Sequence, residues 1–406
     1  MKRLLILAVA AVSAVSAEAT AVVGDVTFAQ GATDRRVTVT YTIDEPAIVT
    51  VDVQTNRGDG VFASIGAANV RGFVGEVNKL VLPREEPYTL TWRPDLTWTE
   101  GGRIDGENAK VVVTAWATNA PPDYMVVSLT DPDVVRYYVS AEALPYDATN
   151  EVYKTDYLVM RRIHAAGKPF RMGSTTLENE VGRYSGYSGV SSYDQGEVKI
   201  VTMSDDYYIG IFEFTIGQWM RCVEKTKASG GAWSNAARGV PGAKYDVIRG
   251  SVADGIDYPA TGNAVKKDSP IDELRNKLGI ELDLPTEAQW EYACRAGTSG
   301  AVYGPVHSEA FIAANAWYRD HPGAWDGTYV GHFPPNPWGL YDMLGGQWEW
   351  CLDKNDSGLR VGRGGGFNIW WQRITSSVRL PKDPNSSDNT WGFRLIAPCV
   401  APYKTK

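Results

Sequence analysis

Between residues 22 and 140 the chain alternates. Val37, Val39, Tyr41 and Ile43 are separated by Thr38, Thr40 and Thr42, and Val49, Val51 and Val53 repeat the period of two that turns one strand face inward. Thr89 to Trp92 and Lys110 to Ala117 read as further strands, set apart by Pro83, Pro87, Pro94 and the Gly101-Gly102 pair. Strand number and spacing predict a small all-β sandwich of the immunoglobulin or fibronectin type over residues 22–140, and the polar stretch 141–154, with Pro145, Asp147 and Asn150, reads as a linker.

From residue 155 to about 400 the pattern becomes mixed. Tyr157 to Ile163 and Lys168 to Met172 read as a strand pair joined at Ala165 to Gly167. The stretch Gly182 to Gly196, rich in Gly, Ser and Tyr, reads as an exposed loop and lacks the GxSxG spacing of a hydrolase nucleophile elbow. Thr215 caps a helix expected from Ile216 to about Lys225, and a loop-like insertion then runs to about Lys267. Ile271, Leu274 and Leu278 mark a short amphipathic helix. Thr286 and Gln289 stand at capping-box spacing before a helix that carries Trp290, Ala293 and Cys294 on one side and ends at Gly297. In the last quarter, Trp, Gly and charge crowd together without helical or strand period, which predicts irregular backbone around aromatic anchors.

A formal charge of -8 without a Lys/Arg cluster argues against a nucleic-acid binder. Residues 1–19 have the layout of a secretory signal peptide: Met1-Lys2-Arg3, an apolar run from Leu4 to Val12, then small residues ending at Ala17 or Ala19. That run is too short to span a bilayer, so the expectation is export to a periplasm, cell surface or medium, with no membrane span. Cys222, Cys294, Cys351 and Cys399 form no CxxC pair; export permits disulfides, and the sequence does not choose among the three ways of pairing all four.

Four separated motifs carry a family resemblance. FRMGS (Phe170 to Ser174), YYIGIFEFTIGQW (Tyr207 to Trp219), LPTEAQWEYACRAGT (Leu284 to Thr298) and NPWGLYDMLGGQWEWCLD (Asn336 to Asp353), followed by RVGRGGGFNIWWQRITSSVR and NTWGFRLIAP, resemble in order the formylglycine-generating enzyme, or sulfatase-modifying factor, family over roughly residues 153–400. The resemblance implies an α+β, C-type-lectin-like fold for residues 155–400. Shared fold does not settle activity.

Asp342 and Glu349 bracket a glycine-bearing loop, so their side chains and the carbonyl oxygens of Gly345 and Gln347 suit a hard cation such as Ca²⁺. The resemblance points the same way, since family members hold a structural calcium here; Gly346 departs from the usual Asn. The alternative is a buried ion pair of Glu349 with Arg394, leaving Asp342 as a solvated turn residue. A second family calcium site would use Asn315 and the carbonyl of Ala316, with further ligands near Asp320 to Asp326, where Pro322 and Ala324 do not suit it.

Competent family members bind Cu(I) through two cysteines just after the glycine-rich motif and oxidise a substrate cysteine to formylglycine with O₂. Here Ile369 and Ile374 occupy those positions, Gly366 replaces the usual serine, and residues 361–396 contain no cysteine. Hydrocarbon offers no lone pair, so copper is not expected. Iron-dependent relatives use three histidines, commonly in HxxxHxE spacing, which His164, His307, His321 and His332 do not show, although His321 and His332 flank one loop. Phe367, Asn368, Trp370 and Trp371 offer a candidate ledge of aromatic faces beside amides, suited to peptide or sugar, with at most one of the paired tryptophans exposed if their backbone is extended. Asn385-Ser386-Ser387 matches a glycosylation sequon. The expectation is an exported, catalytically degenerate binding or structural module for a peptide, glycan or cell-surface protein. The alternative is a formylglycine-generating oxidase or iron-type oxidoreductase.

Overall fold

The computed structural model describes residues 21–400 except 57, 59, 100, 132–133, 175–197, 224–235, 243, 250–264, 325–328 and 387–388. The expected signal peptide, the Gly182 to Gly196 loop, much of the insertion before Lys267, Asp326 and Ser387 lie outside the described residues. The fold is mixed and rich in sheet, and the chain divides into two compact units. One takes the described residues up to Val126, Val135–Ala148 and 399–400; the other takes Val127–Val134 and Thr149–Pro398.

In the first unit, β1 (Val23–Gln30), β2 (Val37–Ile43) and β6 (Tyr88–Trp92) form one antiparallel sheet in the order β1-β2-β6. A second sheet is built on β3 (Ala47–Asn56), which pairs with β4 (Phe62–Ser64), β5 (Lys79–Val81) and β7 (Ala109–Trp116). The alternation in β2 and β7 is realised residue by residue, with every second side chain buried. Val39, Tyr41, Leu90 and Trp92 of the first sheet share a single core with Val49, Val53, Val111 and Val113 of the second. Each such side chain contributes about 1.5–3 kcal/mol by leaving water. The last strands before the second unit's main body are β8 (Tyr124–Ser128) and β9 (Val135–Tyr138).

In the second unit, β10 (Tyr157–Ile163) and β11 (Pro169–Met172) do not pair with each other, contrary to the expected hairpin. β10 takes β13 (Tyr207–Gly210) as its antiparallel neighbour, β13 takes β18 (Ile396–Pro398), and β11 takes β12 (Lys199–Thr202). The corner at Ala165 to Gly167, with Gly167 at φ 68°, diverts the chain to a new ladder instead of folding it back. The last quarter supplies a further sheet in the order β16-β15-β14-β17: β14 (Trp348–Lys354), β15 (Arg360–Arg363) and β16 (Arg379–Lys382) run antiparallel, and β17 (Trp391–Gly392) lies parallel to β14.

The expected helix starts are present. Thr215 and Gln218 form a capping box on Ile216–Cys222, Ser269 caps Pro270–Leu278, and Thr286 and Gln289 form a capping box on Glu287–Arg295. The helix Glu287–Arg295 stops at the expected place, with Ala296 (φ 47°) and Gly297 (φ 86°) both left-handed. It is buried on more than one side because its acids are paired. Glu287 accepts from Arg379 at 2.6 and 2.9 Å, and Glu291 accepts from Arg295 at 2.8 Å and from Arg363.

At the start of β13, Asp206 accepts from Arg162 at 2.9 and 3.2 Å and from the Ala166 amide at 2.9 Å, with His164 Nδ1 at 3.4 Å. Burial by itself would raise its carboxyl, but hydrogen bonds from His164, Ala166 and Arg162 outweigh burial and hold it well below the usual range. A depressed carboxyl stabilises the fold above its unfolded pKa of about 4, and that stability is lost as pH falls from there through the folded value. Asp206→Asn is therefore expected to lower the unfolding midpoint at neutral pH, with the gap to wild type closing below about pH 4. A gap that stays constant across an acid titration of both proteins would refute this.

Candidate functional site

β14 opens on Trp348-Glu349-Trp350, and the period of two separates their roles. Trp348 and Trp350 meet Trp391, with ring centroids 5.9 and 4.1 Å away. Glu349 is wholly buried and faces Arg394 and Trp290. Arg394 Nη2 donates to Glu349 Oε1 at 2.8 Å, Arg394 Nε to Oε2 at 3.0 Å, and Trp290 Nε1 to Oε2 at 2.7 Å. Arg394 is itself wholly buried and also donates to the carbonyls of Gly210 and Tyr341 at 2.9 Å each. The ion pair offered as the alternative to a cation is thus present, but its companion expectation fails. Asp342 is buried at 5% exposure rather than solvated, because Oδ2 accepts from the Gly331 amide at 2.6 Å inside the fold.

The loop between Asp342 and Glu349 is shaped by three left-handed residues, Asp342 (φ 56°), Gly345 (φ 69°) and Gly346 (φ 70°). A Cβ at Gly345 would stand 2.1 Å from the Trp317 carbonyl oxygen, so the close approach of two backbones requires glycine. At Gly346, where the family usually has Asn, a Cβ would stand 3.0 Å from Glu213 Oε1. Glu213 is the acid that sequence reasoning missed. Only 1% exposed, it accepts from the Gln347 amide at 3.1 Å, and its other oxygen and Gln347 Oε1 both crowd the position a Cβ on Gly239 would take, at 2.3 Å each. Its position between the buried Phe212 and Phe214 was the available signal, since an acid in an apolar run needs a partner.

Three buried carboxylates thus share one guanidinium. Burial, Glu349 and Asp342 push the Glu213 carboxyl well above its ordinary range, and burial pushes Asp342 up to about 6 against the Gly331 amide and Arg394. Among the described residues, Asp342 Oδ1 and Gln347 Oε1 are buried with no hydrogen-bond partner. Unsatisfied acceptors in an acidic cluster fit a hard cation. Among the same residues, no group of three or more His, Cys, Asp or Glu side chains is placed to hold a metal. At the second expected site, Asn315 ends the helix Glu309–Asn315 with its Nδ2 donating to Phe311 O at 2.8 Å, and Ala316 is wholly buried.

Ile369 and Ile374, 3% and 0% exposed, converge on Gly365: a Cβ there would meet Ile369 Cδ1 at 3.0 Å and Ile374 Cγ1 at 3.4 Å. All four cysteines are buried. Burial pushes the Cys222 and Cys294 thiols up to about 12 and Cys351 well above its usual value, so these three remain protonated. The pocket residues present do not fit Cu(I).

Phe367, expected in the ledge, is 2% exposed and packs with Trp317, Ala324 and Phe333, so it belongs to the core and offers no binding face. Asn368 is exposed, and Trp370 and Trp371 are both half-buried. Both reach the surface because the extended backbone ends at Trp370 (φ −71°, ψ 146°) and Trp371 begins a 3-10 turn, Trp371–Arg373. Arg319 lies over the Trp370 ring at 4.4 Å, and His307 meets Trp371 edge-on at 5.5 Å. His321 and His332 each pack against the Trp317 ring, with centroid distances of 4.8 and 4.7 Å.

Residues 162–398 match the model of the sulfatase-modifying factor enzyme 1-like domain. Among curated proteins, the formylglycine-generating enzyme of Bos taurus is 32% identical over 143 residues, covering 28% of this chain and 38% of the relative. The inactive C-alpha-formylglycine-generating enzyme 2 of Bos taurus is 35% identical over 138 residues, covering 29% of this chain and 45% of the relative. The chain thus spans less than half the length of these curated relatives. Among solved structures, PvdO from Pseudomonas aeruginosa aligns with a TM-score of 0.45 and 21% identity, over 59% of this chain and 94% of that one. With the family model matching more than half of its residues, the chain belongs to the sulfatase-modifying factor enzyme 1-like domain family.

Proposed function

We propose that this is an exported protein whose C-terminal domain, with a C-type-lectin-like fold, is a catalytically degenerate binding module, stabilised by calcium and preceded by an immunoglobulin- or fibronectin-like sandwich. The observation that carries this reading is the pair of isoleucines closed over Gly365 where two thiolates would be required. A Cu(I) site needs soft donors, and two packed hydrocarbon side chains supply none.

What remains at that face is the ledge of Asn368, Trp370 and Trp371. It combines aromatic area with an exposed amide, and its partner is a peptide, glycan or cell-surface protein. The calcium ion is assigned to the Asp342–Glu349 loop. Asp342 supplies the open oxygen, Gly345 and Gln347 their carbonyls, and Glu213 a further carboxylate. Glu349, with both oxygens engaged, contributes charge.

The test is metal analysis of the purified full chain, joined to an assay with Cu(I), O₂ and a cysteine-containing sulfatase peptide. The expected result is calcium without tightly held copper, and formylglycine no higher than in the protein-free control. Stoichiometric copper together with peptide oxidation would overturn the reading and restore the oxidase.

A further inference from the structure

The outward face of the β3–β7 sheet in the first unit is roofed over. In a sheet with one face on a core, the other face is ordinarily open to water. Here Thr50, Asp52, Thr114 and Trp116 of that outer face line a cleft of about 460 Å³ together with Val70 to Phe73 and residues from Tyr138 to Pro145. That volume falls within the range of small-ligand sites.

Its chemistry narrows the ligand. The lining carries one carboxylate, Asp52, and one guanidinium, Arg71, so it has no net formal charge. Among the described residues the two are not paired. Asp52 accepts from Ser64 Oγ at 2.7 Å and, more weakly, from Gln54 Nε2 at 3.4 Å, while Arg71 Nε donates to the Glu142 carbonyl at 2.8 Å. A guanidinium has five N–H donors, and this bond uses one. The cleft therefore presents a strong acceptor and several strong donors, together with hydroxyls of Thr50 and Thr114 and the amide of Asn78, which serve as either. Three aromatic residues, Phe73, Trp116 and Tyr138, stand in its lining. Trp116 is fixed by its own indole N–H, which donates to Thr50 Oγ1 at 2.8 Å, and Phe73 stacks on Trp92 at 5.3 Å.

Aromatic surface beside mixed donors and acceptors, without net charge, selects against phosphates and other strongly charged molecules. It matches a ring that shows C–H groups on one face and hydroxyls at its edge. We infer that the cleft is a saccharide site, taking about two neutral sugar rings, with Asp52 and Arg71 bonding hydroxyls and Trp116 packing a ring face. This site lies wholly in the first unit and does not rest on the function proposed for the second.

The test titrates the full chain by calorimetry with four neutral disaccharides, cellobiose, maltose, lactose and chitobiose, and with glycylglycine as the zwitterionic competitor class. At least one disaccharide is expected to bind saturably, and Asp52→Asn and Trp116→Ala are each expected to weaken it by about tenfold or more. Asp52→Asn keeps side-chain shape, so it decides the matter even if Trp116→Ala misfolds. The inference is overturned if no disaccharide binds up to about 10 mM, if glycylglycine binds in their place, or if binding survives Asp52→Asn undiminished.

Discussion

Arg394→Met should destabilise the protein by about 3–5 kcal/mol, the largest loss expected of any single substitution in the second unit. The guanidinium it removes makes two close bonds to Glu349 and one each to the carbonyls of Gly210 and Tyr341, all out of reach of water. Methionine fills much of the volume but leaves the Glu349 carboxylate buried beside Asp342 and Glu213 without the guanidinium that bonds both of its oxygens. The cost is that of an uncompensated buried charge, and it exceeds the net worth of the ion pair. The double variant Glu349→Leu/Arg394→Met should therefore recover a large part of the loss, because both charged partners are gone. Denaturant unfolding of the three proteins checks this as a partial double-mutant cycle. A loss below about 1 kcal/mol for Arg394→Met would mean that water or another cation reaches Glu349, since only solvent-exposed pairs are worth so little.

How far the site could be read from the sequence depended on how local each interaction was. The capping boxes at Thr215/Gln218 and Thr286/Gln289 are settled within four residues, and both are present. The alternating strands β2, β3 and β7 carry their own register in side-chain period. Strand partners are not local. Nothing in Tyr157–Ile163 or Pro169–Met172 shows that their neighbours are Tyr207–Gly210 and Lys199–Thr202 and that they do not pair with each other. Glu213 went unnoticed for the same reason. Its partner amide, at Gln347, is 134 positions away, and only the fold reveals that the acid joins Asp342 and Glu349. The two tryptophans at 370 and 371 show a different failure. Strand logic allowed one of them outward, whereas the turn that begins at Trp371 leaves both half-exposed.

The second large effect is expected from removing calcium. Glu213, Asp342 and Glu349 would together carry three negative charges, opposed by Arg394 and, at Asp342, by Lys154, in a volume from which water is excluded. A divalent hard cation offsets the excess and gives the unpartnered Asp342 Oδ1 a bond. Binding to the folded state alone stabilises it by about 2.7 kcal/mol when free calcium is about 100 times Kd, and chelation should remove that increment as a fall of several degrees in the melting midpoint. Asp342→Ala should start from a lower midpoint and show no further fall with chelator, and Glu213→Gln should narrow the difference. Glu349→Ala serves as the contrast, because it also strands Arg394: it should lower the midpoint more than Asp342→Ala or Glu213→Gln does, while keeping part of the response to calcium. Coincident melting curves of the wild type with and without chelator, at one pH and ionic strength, would rule out the cation and leave the cluster to be neutralised by protons on Asp342 and Glu213.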